Sequence, residues 1–396
     1  MDPIIVNLEE KFGAHNYHPL PVMLVKAKGI YAWDEKGKQY IDMMSAYSAV
    51  SLGHAHPKII AKATEQLHTL SLTSRAFYTN KLGPFLEYVC NLTKMDKALP
   101  MNTGAEAVET AIKAARKWGH KIKKIPDNSA EIIVCHGNFH GRTSTIIGFS
   151  SEQQYKDGFG PFSKGFVSIP YGDVEALKKA ITKNTAAFLM EPIQGESGIH
   201  VPPDGYLKTC EKICKENNVL LFADEVQTGL GRTGTLLACD HENVKPDGLM
   251  LGKALGGGVM PVSLFLASEE VMSVYTPGDH GSTFGGNPLA ATIGLEALKI
   301  LMEENLIQNS HDRGEYFRKK LSQLKSDYIK DVRGKGLFIG VEIHPHKATA
   351  REVCLKLLEQ GILSKETHET VVRFAPPLII TNEQIDEAME KIGSVL

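Results

Sequence analysis

Along the chain, short apolar runs alternate with stretches in which apolar residues recur every three or four positions. The runs are Ala98–Met101, Glu131–Cys135, Phe166–Ile169, Ala186–Met190, Val219–Ala223, Gly248–Leu251 and Val262–Ala267. They are short and almost continuously apolar, so they read as strands buried on both faces. Helical patterns lie between several of them, as in "AEAVETAIKAARKWG" and "GYLKTCEKICKENN". This alternation predicts an α/β architecture, a mostly parallel seven-stranded sheet covered by helices on both sides.

The flanks read differently. The first residues predict an irregular, proline-containing start. "KGIYAWDEKGKQYI", Lys28–Ile41, predicts a hairpin turning near Asp34–Gly37. After "GGNPLAA" the pattern predicts helices over Leu289–Met302 and Ile307–Leu324, then a strand at Leu337–Ile343. A helix near Thr349–Gln360, a strand at Val371–Phe374 and a C-terminal helix follow. The expected division is an N-terminal segment with a hairpin (1–47), a large domain (48–289) and a smaller C-terminal α/β domain (290–396).

Composition removes some function classes. The chain has 396 residues, 23% of them charged, and a formal net charge of −2 with no long like-charge run. Neither a nucleic-acid nor a membrane partner is expected. No apolar run approaches the ~20 residues of a membrane span. The N-terminus lacks a basic and an apolar leader region, and the first arginine is Arg75. A cytoplasmic chain is expected, with a trimmed organellar one as the alternative. Six scattered cysteines without a CxxC predict reduced thiols and no metal site.

Two glycine-containing stretches invite a phosphate. "GLGRTG", Gly229–Gly234, matches a dinucleotide fingerprint, but "DEVQT" separates it from the preceding strand and no good helix start follows. It reads as a loop. "MNTGAEAVETAIKAAR", Met101–Arg116, runs from a short strand into a helix, whose free amides and positive dipole end suit an anion. Alone, it would read as an ordinary capped helix.

What gives that helix meaning is "MLGKALGGGVMP", where Lys253 is the only charge between Met250 and Pro261. Lysine is seldom buried unpaired. The run Val219–Ala223 delivers Asp224 to the carboxyl end of a strand, where open α/β sheets bind ligands. Lys253 follows the next run and reaches the same crevice. An amine in such a pocket has a lowered pKa and can condense with an aldehyde. Lysine, acid, anion cradle and an aromatic face are together what pyridoxal phosphate requires.

The segments "FADEVQTGLGRTG", "GKALGGGVMPVS" and "GSTFGGNP", in this order, resemble the class III, ω-amino-acid aminotransferases of fold type I, and the resemblance covers essentially the whole chain. It implies that Lys253 is the Schiff-base lysine and proton carrier and that Asp224 pairs with the pyridine nitrogen. Gly104 and Ala105 would give amides to the phosphate, Phe139 would stack on the ring and Gln227 would contact its 3-oxygen. Thr283 would reach the phosphate of a neighbouring subunit, which implies a homodimer.

Within the family, "NYHPLPV" with Tyr17, "SAYSAVSLGH" with Tyr47 and "EPIQGESG" with Glu196 are similar to the ornithine aminotransferases, as are Arg142 of "HGRT" and Arg373 of "VVRFAPP". The reaction implied is transfer of the δ-amine of ornithine to 2-oxoglutarate. Arg142 would take ornithine's α-carboxylate and Tyr17 its α-amine. Arg373 would clamp the α-carboxylate of 2-oxoglutarate. Glu196 would neutralise Arg373 while ornithine is bound. Acetylornithine and 4-aminobutyrate aminotransferases are the alternative, and Tyr17 and Tyr47 carry the choice against them.

Overall fold

Each of the seven apolar runs is a strand, and together they form one sheet. The structure is a computed structural model that describes residues 2–396. Three N-terminal strands come first, β1 (Leu24–Lys28), β2 (Tyr31–Asp34) and β3 (Gln39–Asp42). The central strands are β4 (Lys97–Met101), β5 (Glu131–Cys135), β6 (Phe166–Ile169), β7 (Thr185–Met190), β8 (Leu220–Asp224), β9 (Gly248–Leu251) and β10 (Ser263–Ala267). Their order is β4-β10-β9-β8-β7-β5-β6, and only β10 runs antiparallel to its neighbours.

The continuous apolar runs have a direct cause. Leu221, Ala223, Leu249 and Leu251 face one core cluster, while Leu220, Phe222 and Met250 face another on the opposite side of the sheet. Successive side chains alternate in direction, so a strand covered on both faces must be apolar throughout. The helix Gly104–Lys121 covers one face with Ala107, Val108, Ala111, Ile112, Ala115 and Trp118. Its start is set by a capping box: the Thr103 hydroxyl accepts from the Glu106 amide, and the Glu106 carboxylate accepts from the Thr103 amide at 2.8 Å.

The irregular start is a correction, because Pro3–Phe12 is a helix. Proline occupies the first helical position and the Asp2 carboxylate accepts from the Ile4 amide at 2.8 Å. Its start is capped locally, and within the single chain none of its residues is buried. The hairpin is β2–β3, and Lys28 belongs to β1, which pairs antiparallel with β2. Asp34 closes the turn by accepting from the amides of Lys36 and Lys38, both at 2.9 Å.

The C-terminal part opens with two helices, Pro288–Glu303 and Leu306–Ser322. Strands β11 (Ile329–Lys335), β12 (Phe338–Ile343), β13 (Ile362–Leu363), β14 (Lys365–Thr367) and β15 (Val371–Phe374) follow, with helices at Ala350–Glu359 and Asn382–Gly393. An antiparallel sheet has the order β11-β12-β15-β14. β11, "IKDVRGK", escapes the apolar pattern because it is a charged edge strand. β13 pairs in parallel with β3, so the C-terminal part completes the N-terminal sheet.

Candidate active site

Five central strands end at one edge of the sheet, and each delivers a side chain or amide there. β8 ends on Asp224, β9 is followed two residues later by Lys253, and β7 is followed at once by Glu191. The loop after β5 carries Phe139, His140 and Gly141, and β4 leads to Gly104 and Ala105. These residues, with Glu196, Val226, Gln227 and Thr228, line one cleft. It lies at the carboxyl ends of the parallel strands, where such folds bind ligands.

Lys253 projects into the cleft floor from a left-handed backbone, φ 44°. Its remaining exposure opens into the cleft. Burial lowers its pKa, and Glu196 and Asp224 raise it only in part, through space. The amine is therefore more available as a nucleophile than a surface lysine. The Asp224 carboxylate lies 2.7 Å from Nδ1 of His140. Burial would lower the pKa of that histidine, but Asp224 outweighs it and raises it. The other ring nitrogen, Nε2, is buried with no hydrogen-bond partner among the described residues. Behind them, burial pushes the Glu191 carboxyl up to about 7. It accepts from the Phe139 amide at 3.0 Å and so ties the aromatic loop to β7.

The neighbouring acid, Glu225, points the other way and serves the fold. It accepts from the amides of Ala238 and Cys239, both at 2.8 Å, and from Thr228 at 2.7 Å. The opening of the helix Gly104–Lys121 faces the cleft, and its first residue packs closely against Val226. A methyl group at position 104 would stand 2.8 Å from Cγ1 of Val226. Phe139 is half-buried in the wall. At the wall's outer end the exposed Arg142 guanidinium lies over the rings of Phe139 and Tyr155, 5.8 and 4.6 Å from their centroids. It has no carboxylate partner among the described residues, so it is a free cation held by aromatic faces.

The opposite wall is an ion pair. Glu196 meets the buried Arg373 in a bidentate contact at 2.7 and 2.8 Å. Burial would raise the Glu196 carboxyl, but the guanidinium outweighs it and holds the pKa down at about 2. Gln227 donates to Glu196 at 3.1 Å. Gly195 permits that approach, since a Cβ there would lie 1.9 Å from the Gln227 carbonyl oxygen. The ring of Tyr47 covers Arg373, with 5.3 Å from guanidinium carbon to centroid.

Tyr47 reaches that position on an unusual backbone. Ser45, Ala46, Tyr47 and Ser48 all have positive φ, from 44° to 72°. Four L-residues in succession in the left-handed region cost about 1–2 kcal/mol each. Such strain persists only where the surroundings impose it.

Seven of the expected residues thus line one cleft: Gly104, Ala105, Phe139, Glu196, Asp224, Gln227 and Lys253. Tyr47, Arg373 and Arg142 border it through the contacts above. Two lie outside. Tyr17 is 69% exposed, on a segment whose His18 and Pro19 carbonyls accept from Arg351 at 3.2 and 3.1 Å. Thr283 is exposed too, although its neighbour Ser282 accepts from Asn102 at 2.8 Å beside the helix start. Glu191, His140 and Tyr155 escaped the sequence reading. Glu191 was accessible to it, because it follows β7 as Asp224 closes β8. His140 stood beside Phe139 in "HGNFHGRT", and Tyr155 carried no signal.

Comparison with known proteins agrees with this geometry. The profile of aminotransferase class III matches residues 12–396. The chain belongs to the class III aminotransferases. Among curated members, an ornithine aminotransferase of Brevibacillus brevis is 55% identical over 393 residues, 99% of this chain and 98% of that one. Among solved class III structures, the ornithine aminotransferase of Toxoplasma gondii ME49 superposes with a TM-score of 0.97 at 44% identity, covering 99% of this chain and 94% of that one. An acetylornithine aminotransferase from Elizabethkingia anophelis gives a TM-score of 0.90 at 48% identity, covering 99% and 97%. A second Toxoplasma ornithine aminotransferase structure is described with partial occupancy of PLP at the active site.

Proposed function

We propose that this protein transfers the δ-amino group of L-ornithine to 2-oxoglutarate, giving glutamate 5-semialdehyde and glutamate, with pyridoxal phosphate as cofactor. The cleft fits that cofactor: an amine of lowered pKa in the floor, an acid at the adjacent strand end, and a helix start whose glycine leaves its amides open to an anion. Bound there, pyridoxal phosphate supplies an aldehyde and an electron sink. Lys253 would hold the cofactor's aldehyde end, and its amine is placed to carry a proton at Nζ. Asp224, oriented by His140, holds the charge of the ring nitrogen. Gly104 and Ala105 take the phosphate, Phe139 the ring face and Gln227 the 3-oxygen.

The observation that carries the substrate reading is the bidentate Glu196–Arg373 pair beneath Tyr47. One pocket must accept a diamino acid and then a diacid. With the pair closed, the cleft offers one free arginine, Arg142, for ornithine's single carboxylate, and Tyr17 meets the α-amine. With Glu196 swung away, Arg142 and Arg373 offer two cations for the two carboxylates of 2-oxoglutarate. Closing the pair keeps an α-carboxylate off Arg373 and presents the distal amine to Lys253. Thr283 belongs to the partner's phosphate site in this reading, which makes the unit a homodimer. The location that goes with it is the cytoplasm. Among the described residues, no helix is long and apolar enough to cross a membrane.

The Elizabethkingia neighbour makes acetylornithine the rival donor. A coupled assay with 2-oxoglutarate and ornithine, acetylornithine or 4-aminobutyrate decides between them. Ornithine should show the highest kcat/KM. Preference for acetylornithine or 4-aminobutyrate would overturn the assignment.

A further inference from the structure

The loop "GLGRTG" takes no part in the chemistry above, yet its arginine is fully buried. Arg232 has no ion-pair partner among the described residues; Asp42 acts on it only through space. A buried guanidinium without a paired carboxylate is a costly way to fill a core. Its neighbours are neutral oxygens from three segments. Nη1 donates to the carbonyls of Leu337 at 2.9 Å and Pro376 at 2.6 Å. Nη2 donates to the hydroxyls of Ser51 at 2.8 Å and Ser45 at 3.3 Å.

Those contacts bracket the left-handed turn. Ser45 is its first residue, and its hydroxyl donates onward to the Ala375 carbonyl at 2.7 Å. Ser48 is its last, and its carbonyl accepts from the Ser51 hydroxyl at 2.9 Å. Arg232 therefore reaches the start of the turn directly and its end through Ser51. The same guanidinium grips Pro376, three residues after Arg373. Backbone bonds from Ala375 to Met43 and from Leu378 to Ser51, both 2.7 Å, run alongside. A left-handed run does not support itself. Here one side chain ties both its ends to Pro376, just beyond the strand that carries Arg373.

We propose that Arg232 is a positioning residue: it holds the Ser45–Ser48 turn so that Tyr47 covers Arg373, and thereby sets which donor amine reaches Lys253. The inference rests on the reading of Tyr47, Glu196 and Arg373 as the substrate wall. With the turn loosened, Tyr47 leaves the face of Arg373 and an α-carboxylate gains access to it. Glutamate, which docks that way, gains relative to ornithine.

The test uses the cofactor-loaded enzyme and four variants: Arg232→Lys, Ser51→Ala, Tyr47→Ala and Ser51→Ala with Tyr47→Ala. Lysine keeps the charge but cannot serve four acceptors in a fixed fork. Ser51→Ala removes one relay and leaves the core volume nearly unchanged. Each is measured for kcat and KM with ornithine and with glutamate, for cofactor absorbance and for Tm. Arg232→Lys and Ser51→Ala should each lower the ornithine-to-glutamate ratio of kcat/KM roughly tenfold, the value of one hydrogen bond to a charged group. The loss should lie mainly in KM for ornithine, with cofactor absorbance unchanged. In the Tyr47→Ala background, Ser51→Ala should add nothing to the ratio. Equal losses for both donors, or a Ser51→Ala effect that persists without Tyr47, would reduce Arg232 to a core residue and overturn the proposal. If Tyr47→Ala shifts the ratio and the other two single variants do not, only the role of Arg232 falls. If Tyr47→Ala leaves the ratio unchanged, the substrate-wall reading falls and takes this inference with it.

Discussion

The floor and the wall of the cleft are built in opposite ways. In the floor, each residue comes from the end of its own strand: Asp224 from β8, Lys253 from β9, Glu191 from β7. Sheet hydrogen bonding alone brings them together, and their backbone neighbours are the apolar interior of the sheet. The wall is assembled from segments far apart in sequence: Tyr47, Glu196, Gln227 and Arg373. Side-chain contacts and a strained turn hold it, not a common sheet. A floor of this kind suits chemistry common to every donor, since the strand ends cannot move independently. A wall of this kind suits selection in the proposed reading, because its carboxylate is held by side chains rather than by a strand.

The sharpest way to break the comparison is to remove the floor. Lys253→Ala should lower kcat with every donor by at least the roughly 10²–10⁴ expected of a proton-transfer group. The absorbance of lysine-bound cofactor should disappear while the protein still folds. Ornithine and glutamate should suffer alike. A variant that stayed near wild-type turnover, or lost one donor only, would show that floor and wall are not separate devices.

Removing the wall should do the reverse. Glu196→Ala leaves Arg373 unmasked in both half-reactions. The 2-oxoglutarate half-reaction should survive, the ornithine half-reaction should slow, and glutamate should become the relatively better donor. A charged hydrogen-bonded contact of about 1.5–3 kcal/mol corresponds to a change in preference of about tenfold to a hundredfold. Single-turnover kinetics with each donor measure it. Equal slowing of both donors would mean that Glu196 does not select.

The smallest effect concerns stability and its sign. The Glu196 carboxyl is lowered from 4.5 to about 2 in the folded protein. A depressed acid contributes stability above its unfolded pKa, and the contribution drains away as pH falls from 4.5 toward about 2. Glu196→Gln should therefore lower Tm more near neutral pH than near pH 3, roughly where the wild-type carboxyl begins to protonate. A Tm difference independent of pH would indicate that the pair adds no linked stability.

Much of the floor was legible beforehand because its signals are local. Seven apolar runs located seven strands to within a residue or two, since two-faced burial leaves no choice of residue type. A charge directly after such a run has only the sheet edge to go to, which placed Asp224 and Lys253. The same rule reaches Glu191, which directly follows β7. The N-terminal helix was missed because it packs against no core element of its own chain, which leaves its caps, Asp2 and Pro3, as the main signal. β11 was missed because an edge strand can carry charge without an apolar pattern.

By itself, then, the sequence determined the strands, the helices that cover them, and the chemistry at the strand ends. Periodicity and burial act over a few residues, and these features need nothing more. Only the tertiary structure decided the left-handed turn that carries Tyr47, the closure of Glu196 on Arg373 and the grip of Arg232 on Ser45, Ser51 and Pro376. No local propensity favours four left-handed residues in a row, and no spacing along the chain announces that residues 45, 51, 232, 337 and 376 share one guanidinium. Their free energy exists only once four distant segments have met.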